Sequence, residues 1–305
     1  MPHFRSDFFA CLYQKYLSLN IEQLFEVFDG IDEQALIKKK KTKKELILRI
    51  FIIKYYSFIY QIDLKDKQMN YLILVRHGQS IWNLEKKFTG WVDVDLNENG
   101  KNEAKKAAKL IKEKDINIDL YYSSLQLRAK NTLTIIQEEL MDYKNVKPAW
   151  QLNERHYGSL TGLNKDEMKK KLGEEKVHQF RRSWDLRPEP LDKSSPFHPL
   201  NIKIYREVPI EKIPDTESLK DTYERVISYY KKEIEEKLRN NNILISAHGN
   251  SIRALCKYLF KLDENKISKL EIPTGNPLLV EFDLNNNILN CNYLDTERAK
   301  DLLVY

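Results

Sequence analysis

The chain has 305 residues, of which 42% are hydrophobic and 31% charged, and its net charge is +6. This length suffices for one large domain or two small ones, and the composition is ordinary for a globular protein. The positive charge favours anionic partners. The three cysteines, Cys11, Cys256 and Cys291, lie far apart and exclude a cysteine metal motif, which fits a reducing cytoplasm.

Residues 1–68 contain a lysine-rich run at 38–44, followed by an apolar and aromatic stretch from Leu46 to Ile62. Because Arg49 and Lys54 interrupt that stretch, it is short and charged for a membrane span, and no signal-peptide cleavage site follows. We predict a poorly structured extension or an artefact of start-site choice. A basic amphipathic segment could lie on an anionic membrane, but we do not favour this alternative.

The first buried strand is predicted at Tyr71–Val75, an apolar run that ends abruptly in Arg76, His77 and Gly78. Open α/β sheets bind their ligands at the carboxyl ends of such strands. Gly78 permits a turn and the close approach of a ligand. Taken alone, these three residues suit a solvated polar turn at least as well as a binding site.

A helix is predicted from Asn97, a capping residue, because alanine, leucine and isoleucine recur there at helical spacing. A strand at Ile118–Tyr122 follows, and then a helix that carries Arg128. Alternation of strands and helices predicts parallel strand pairing in a layered structure.

Two further helices are predicted at Asn164–Leu172 and Glu174–Trp184. Residues 186–214 then hold six of the ten prolines, which predicts an irregular excursion. Long excursions of this kind often act as lids or interaction surfaces.

A long helix is predicted from Ser218 to Leu238, opened by a capping-box-like pattern. The next apolar strand, from Ile243, ends in His248 and Gly249, as the first strand ends in His77 and Gly78, and a helix is predicted from about Ser251. If the two strands are parallel, two imidazoles meet across one crevice. A terminal strand pair is predicted at 278–282 and 288–294.

Four segments, 76–78, 88–91, 153–158 and 247–251, together resemble the cofactor-dependent phosphoglycerate mutases of the histidine phosphatase superfamily. The resemblance runs from about Met69 to about Leu294. It implies an α/β three-layer sandwich with a mostly parallel central sheet flanked by helices. We therefore predict a catalytic domain at 69–305, preceded by the extension at 1–68.

The resemblance also assigns catalytic roles. His77 is the expected nucleophile, which becomes phosphohistidine, and His248 is expected to face it and contact the same phosphoryl group. Arg76 and Arg128 are expected to hold the phosphoryl oxygens with their planar guanidinium groups. Glu154 is the expected general acid and base. Its structural alternative is an ion pair with Arg155 or Arg182.

Substrate binding is assigned by the same resemblance to Glu154, Arg128 and ten further residues, namely Asn83, Thr89, Gly90, Arg155, Tyr157, Lys165, Arg181, Arg182, Gly249 and Asn250. The substrate 2,3-bisphosphoglycerate carries a charge of about −5. Arginines 76, 128, 181 and 182 with Lys165 supply five positive charges. This balance favours a small multiply charged phosphate ester over nucleic acid as the anionic partner.

The resemblance implies interconversion of 3-phosphoglycerate and 2-phosphoglycerate in glycolysis and gluconeogenesis, primed by 2,3-bisphosphoglycerate and without a metal. Members of that family are often homodimers or homotetramers, and the resemblance implies a location in the cytoplasm. The alternatives are a phosphatase or bisphosphoglycerate synthase using the same site, and a membrane- or partner-binding protein that uses residues 1–68.

Two departures from the family pattern carry expectations. Gln79 stands where relatives commonly have glutamate, so we expect altered phosphate affinity. Only residues 296–305 follow the last predicted strand, whereas relatives have a longer mobile tail that helps to close the site. We therefore expect a raised phosphatase side reaction.

Overall fold

Residues 69–299, which the computed structural model describes, contain a single six-stranded sheet. The strands are β1 (Asn70–Arg76), β2 (Leu120–Ser123), β3 (Val146–Pro148), β4 (Ile243–Ala247), β5 (Leu278–Phe282) and β6 (Ile288–Tyr293). Their order across the sheet is β3-β2-β4-β1-β5-β6. The pairs β1–β4, β2–β4 and β2–β3 are parallel, and β5 pairs antiparallel with both β1 and β6. The predicted mostly parallel sheet is confirmed.

The helices of the same region are α1 (Ile81–Leu84), α2 (Glu98–Lys112), α3 (Leu127–Leu140), α4 (Lys165–Leu172), α5 (Glu174–Arg182), α6 (Leu219–Tyr229), α7 (Gly249–Leu259) and α8 (Glu264–Lys269). The predicted caps are confirmed, since Asn97 accepts a hydrogen bond from the Gly100 amide and Ser218 forms a capping box with Asp221. Each cap satisfies a donor that the first helical turn leaves without a partner.

Two cores lie on opposite faces of the sheet because successive side chains of a strand point to opposite sides. On β1, Leu72 and Leu74 pack in a cluster that includes residues of α6, α7 and α8. Ile73 and Val75 pack instead with residues of α2 and α3. β1 is therefore buried on both faces, as predicted, and the three-layer arrangement is confirmed.

Several predicted boundaries differ from the structure. β2 begins two residues later than the predicted strand at 118. The helix predicted from about Ser251 begins at Gly249, which places His248 at its N-cap. The long helix predicted to reach Leu238 is regular only to Tyr229 and continues as a π-helical turn at Tyr230–Ile234. Both β3 and α8 were absent from the prediction.

Gly78 makes a close contact that the sequence did not predict. A Cβ atom at Gly78 would lie 2.1 Å from the carbonyl oxygen of Gly100 in α2. A distance this short would force the strand end and the helix apart, so glycine is required here for the close approach of α2, and the approach of a ligand stays a prediction.

Several predictions lie outside the described residues, namely the extension at 1–68 with its lysine-rich run and Cys11, and the terminal residues 300–305. Within 69–299, no helix is long and apolar enough to cross a membrane.

Candidate active site

A cavity opens at the carboxyl ends of β1 and β4. Thirteen residues predicted for the site line it: Arg76, His77, Asn83, Thr89, Gly90, Arg128, Glu154, Tyr157, Lys165, Arg181, Arg182, Gly249 and Asn250. The fold therefore gathers residues from eight separate places in the sequence around one space. Arg253 and Glu271, which were not predicted, also line it.

His77 is held rigidly where β1 ends. Its amide donates to the Ala247 carbonyl of β4 over 3.0 Å, and its ring Nδ1 lies 2.7 Å from the Gly78 carbonyl oxygen. Because a carbonyl oxygen can only accept, Nδ1 carries the hydrogen and Nε2 keeps a free lone pair. Burial, followed by the charges of Arg128 and Arg76, holds the pKa of His77 well below its usual value. The ring is therefore neutral at pH 7.

His248 faces His77, with ring centroids 5.0 Å apart. Its Nε2 lies 2.7 Å from the hydroxyl oxygen of Ser124, which also accepts from the Gln126 amide. A hydroxyl can both donate and accept, so this contact fits a hydrogen on either ring nitrogen of His248. Nδ1 is buried and has no hydrogen-bond partner. Burial and then Arg128 hold the pKa of His248 well below its usual value.

Two arginines, half-buried Arg76 and buried Arg128, flank the imidazole pair. Arg76 donates through Nη1 to the Ile272 carbonyl over 2.6 Å, while its Nε is buried without a partner. Arg128 donates to the Gly90 and Val92 carbonyls, both over 2.8 Å. Burial lowers the pKa of each arginine, yet a guanidinium stays charged at neutral pH. These bonds to carbonyls fix the two positive charges beside His77.

Glu154 is buried at the cavity wall, with 9% of its surface exposed. Its Oε1 accepts from the Arg155 amide over 2.7 Å and from the Asn250 amide over 3.3 Å. Within residues 69–299, the carboxylate forms no ion pair with Arg155 or Arg182, so the structural alternative considered from sequence is not found. The other carboxylate oxygen has no protein donor in that part of the chain and is available to carry a proton.

A buried ion pair supports the segment that carries Glu154. Arg225 of α6 pairs with Glu217 over 2.7 Å, and their side chains are only 10% and 6% exposed. The Arg225 guanidinium also donates to the carbonyls of Gln151, Asn153 and Glu154. Sequence analysis missed this pair, since nothing in the spacing of Glu217 and Arg225 distinguishes it from an exposed ion pair on a helix.

The far end of the cavity is also cationic. Lys165 donates to the Lys87 carbonyl over 2.6 Å, and burial, followed by the charges of Arg181 and Arg76, lowers its pKa to about 8. Arg182 pairs with Glu271. Neighbouring Tyr157 accepts a hydrogen bond from the Asn250 side chain over 3.1 Å.

Arg155 and His248 were predicted for the site but do not line the cavity. Arg155 is fully buried, donates to the Phe180 carbonyl and lies 4.7 Å from the centre of the Tyr157 ring. It therefore supports Tyr157 from behind, and its contact with substrate remains a prediction. His248 faces His77, as described above, but is not among the residues that line the cavity.

Gln79 also lies outside the cavity lining. Its side-chain oxygen accepts from Asn97, the cap of α2, over 2.8 Å. Gln79 therefore does not contact the space in which phosphate is expected to bind, and its predicted effect on phosphate affinity would have to be indirect.

The proline-rich excursion at 186–214 is irregular, as predicted, and contains only short 3-10 turns. It packs against the site segments rather than lining the cavity. The Tyr205 hydroxyl donates to the Trp91 carbonyl, and the Glu189 carbonyl accepts from the Ser159 amide. Gly158 has φ 53°, and a Cβ there would lie 2.0 Å from the Glu189 oxygen. The excursion thus fixes the backbone beside Tyr157.

Arg253 connects several of these groups. It lies on α7 and donates to Asn250 Oδ1 over 2.7 Å and to the Leu270 carbonyl over 2.9 Å. Burial, followed by the charge of Arg182, lowers its pKa to about 9. Its position one helical turn after Gly249 was a signal that sequence reasoning could have used. Glu271 lies in a loop and offered no comparable signal.

Buried polar atoms without partners lie in and beside this cavity: Arg76 Nε, Thr89 Oγ1 and His248 Nδ1. Buried polar atoms are normally satisfied, so three of them around one space favour a bound ligand, and the Arg76 Nε donor suits an oxyanion. No group of three or more residues that could hold a metal ion occurs between residues 69 and 299.

The sequence model of the histidine phosphatase superfamily (branch 1) matches residues 72–292. The chain belongs to this superfamily.

A 2,3-bisphosphoglycerate-dependent phosphoglycerate mutase of Pelagibacter ubique is 67% identical over 238 residues, which cover 78% of this chain and 100% of the relative. The enzyme of the same name from Borrelia garinii is 49% identical, over 74% of this chain and 92% of the relative. Within the superfamily, the chain belongs to the 2,3-bisphosphoglycerate-dependent phosphoglycerate mutases.

Solved structures with the same fold include a mycobacterial glucosyl-3-phosphoglycerate phosphatase, with TM-score 0.54 and 20% identity over 73% of this chain and 96% of that one. An alpha-ribazole phosphatase from Shigella flexneri has TM-score 0.53 and 18% identity over 72% of this chain and 94% of that one. At these identities the likeness shows the fold alone, and it confirms the predicted fold class.

Proposed function

We propose that this chain interconverts 3-phosphoglycerate and 2-phosphoglycerate, primed by 2,3-bisphosphoglycerate, with His77 as the residue that carries the phosphoryl group. The observation that carries the proposal is the pair of facing imidazoles, 5.0 Å apart, in a cavity lined by arginines and Lys165. Identity of 67% over the whole length of a mutase of that name supports it. The same name supports a place in glycolysis and gluconeogenesis.

In the first half of the cycle, phosphorylated His77 gives its phosphoryl group to the 2-hydroxyl of 3-phosphoglycerate. The N–P bond at Nε2 breaks as the new O–P bond forms, and Glu154 takes the hydroxyl proton. The product is 2,3-bisphosphoglycerate, and His77 returns to the neutral ring with a free Nε2.

In the second half, His77 Nε2 attacks the phosphorus on the 3-oxygen of the bisphosphate after that molecule has turned within the cavity. The O–P bond breaks, Glu154 returns its proton to the leaving oxygen, and 2-phosphoglycerate is released. One carboxyl group thus serves as base and then as acid, and each cycle regenerates phosphorylated His77.

Charge stabilisation falls to Arg76, Arg128 and His248. During transfer, negative charge spreads over the three oxygens that remain on the phosphoryl group. Arg76 Nε, which is buried without a partner, supplies a donor to those oxygens, and the His248 ring supplies a second polar contact. Bonds to carbonyls keep the guanidinium groups in place. Lys165, Arg181 and Arg182 then hold the anionic groups at the other end of the substrate.

The remaining expectations extend this proposal. No metal is required, because arginines and histidines supply the charge stabilisation. We propose that the active form is a homodimer or homotetramer, that it works in the cytoplasm, and that it binds no nucleic acid. Membrane contact through residues 1–68 is not expected.

The test is a 3-phosphoglycerate to 2-phosphoglycerate assay with and without 2,3-bisphosphoglycerate, in the presence of a chelator that inhibits metal-dependent mutases. We expect turnover that depends on the bisphosphate and resists the chelator. Release of inorganic phosphate without 2-phosphoglycerate would instead identify a phosphatase, and net accumulation of bisphosphate would identify a synthase.

A further inference from the structure

Glu271 places a carboxylate inside the cavity, although the proposed reaction gives it no role. It follows α8 in the loop that leads to β5, and it accepts a hydrogen bond from Arg182, the last residue of α5. The Arg182 side chain is 12% exposed and that of Glu271 is 53% exposed. Arg182, which was predicted to bind substrate, is therefore already paired with a carboxylate of the protein.

The charge of Glu271 opposes the rest of the lining. Six cationic and two acidic side chains line the cavity, and the other acid, Glu154, is assigned to proton transfer. Burial alone would raise the pKa of Glu271, but Arg182 and Arg253 hold it below its usual value. Glu271 is therefore ionised at neutral pH. An ion pair as exposed as this one contributes little to fold stability, so stability alone does not account for it.

We propose that Glu271 is a specificity-determining residue: its carboxylate holds Arg182 until an anionic group of the substrate displaces it. This inference rests on the proposed function. A ligand that reaches both His77 and Arg182 must break the Arg182–Glu271 pair, whereas orthophosphate bound between His77, Arg76 and Arg128 need not. Glu271 therefore weakens the binding of bisphosphates more than that of orthophosphate.

Weaker binding suits a reaction in which the intermediate must turn around. In the proposed cycle, 2,3-bisphosphoglycerate leaves one orientation and takes the opposite one before the second transfer. Tight binding of the first orientation would stabilise the intermediate and slow the reaction. A resident carboxylate that competes for Arg182 shortens the lifetime of each orientation.

The test compares Glu271→Gln with Glu174→Gln, which removes the same charge from the exposed first turn of α5, outside the cavity. Binding of 2,3-bisphosphoglycerate and of orthophosphate is measured by calorimetry on the full chain. We expect E271Q to bind the bisphosphate about tenfold more tightly, a change of about 1.4 kcal/mol. Orthophosphate affinity should change less than about twofold, and E174Q should match the wild type.

Two further variants examine the mechanism. In an Arg182→Gln background, Glu271→Gln should have little further effect on bisphosphate affinity, because the group for which Glu271 competes is gone. Glu271→Asp, which keeps the charge, should bind the bisphosphate less tightly than E271Q. Thermal unfolding of each variant identifies any loss of folded protein.

Unchanged or weaker bisphosphate binding by E271Q, in a folded protein, overturns the inference, as does a tenfold effect that persists without Arg182. Failure of the proposed function gives a different result, namely a wild-type protein that neither converts 3-phosphoglycerate nor binds the bisphosphate. Wild-type turnover combined with unchanged E271Q affinities would overturn the role of Glu271 alone.

Discussion

His77 and His248 face each other with ring centroids 5.0 Å apart, and a backbone carbonyl fixes the ring hydrogen of His77. The Gly78 carbonyl keeps a hydrogen on Nδ1 of His77, whereas the Ser124 hydroxyl occupies Nε2 of His248. A free lone pair on Nε2 of His77 thus lies beside the ring of His248. This arrangement suits a nucleophile next to a group that donates to the phosphoryl oxygens.

Glu154→Gln should lower kcat by roughly 10²- to 10⁴-fold, the usual contribution of a positioned acid or base. The amide keeps the size of the side chain and can still accept from the Asn250 amide, so KM should change little. Steady-state kinetics with 3-phosphoglycerate measures both constants. Exposed Glu167→Gln is the control and should match the wild type. A near-wild-type kcat for E154Q would leave Glu154 a purely structural role.

Arg225→Met should lower the free energy of unfolding by about 3–5 kcal/mol, because it leaves Glu217 buried and without its partner. It should also lower kcat, since the Glu154 segment loses its bonds to Arg225. Denaturant unfolding measures the first effect. In the control Arg187→Met, the broken pair is more exposed, and the loss should be about 1 kcal/mol or less. Equal losses in the two variants would contradict this account.

Stability should fall as the pH is lowered from 7 to 4, and His156 should account for part of the fall. His156 is fully buried, and burial, followed by the charge of His198, lowers its pKa to about 3. Below about pH 6.5 the unfolded chain binds a proton at this residue, whereas the folded chain does not until about pH 3. Lowering the pH from about 6.5 to about 3 therefore favours unfolding. Above about pH 6.5 the neutral ring contributes its full stabilisation of the folded chain.

His156→Asn should reduce that dependence, since asparagine does not titrate and its side-chain oxygen can still accept from the Gly158 amide. Thermal unfolding between pH 4 and 7 compares this variant with the exposed control His178→Asn. An unchanged pH dependence in H156N would mean that the buried ring is not a source of the acid sensitivity.

We propose that residues 69–305 form the catalytic domain without help from 1–68. The Pelagibacter ubique mutase is matched over its whole length by 238 residues of this chain. A protein that begins at Met69 should therefore be soluble and keep its mutase activity. Loss of soluble protein would show that the extension packs on the domain. Flotation of the full chain with anionic vesicles, but not of the shortened one, would instead support a membrane-binding extension.

Motifs with a local signal were predictable from sequence. The apolar runs of β1 and β4 with their terminal histidines, and the caps Asn97 and Ser218, were all read correctly. Both kinds of feature depend on interactions between residues that are close in sequence: burial of consecutive apolar residues in the strands, and capping hydrogen bonds at the helix ends. β3 was missed because it has only three residues and ends in a proline, which is tolerated where no further strand pairs with it.

Features that depend on distant residues were not predictable. Glu271 becomes part of the site only because the fold brings it to Arg182, 89 residues away. Gly78 suggested a ligand, yet the atom that excludes a side chain belongs to Gly100. The ten further residues assigned to substrate binding came from the resemblance, and for the nine other than Arg155 their joint position around one cavity gives a structural basis.

The central claim is that His77 carries the phosphoryl group, and phosphate transfer from labelled 2,3-bisphosphoglycerate tests it most directly. The wild type and the control His178→Ala should each acquire an acid-labile, base-stable phosphate, which peptide mapping places on His77. His77→Ala should acquire none and should lose 3-phosphoglycerate turnover. Retained labelling of His77→Ala, or labelling mapped to His248 in the wild type, would contradict the account.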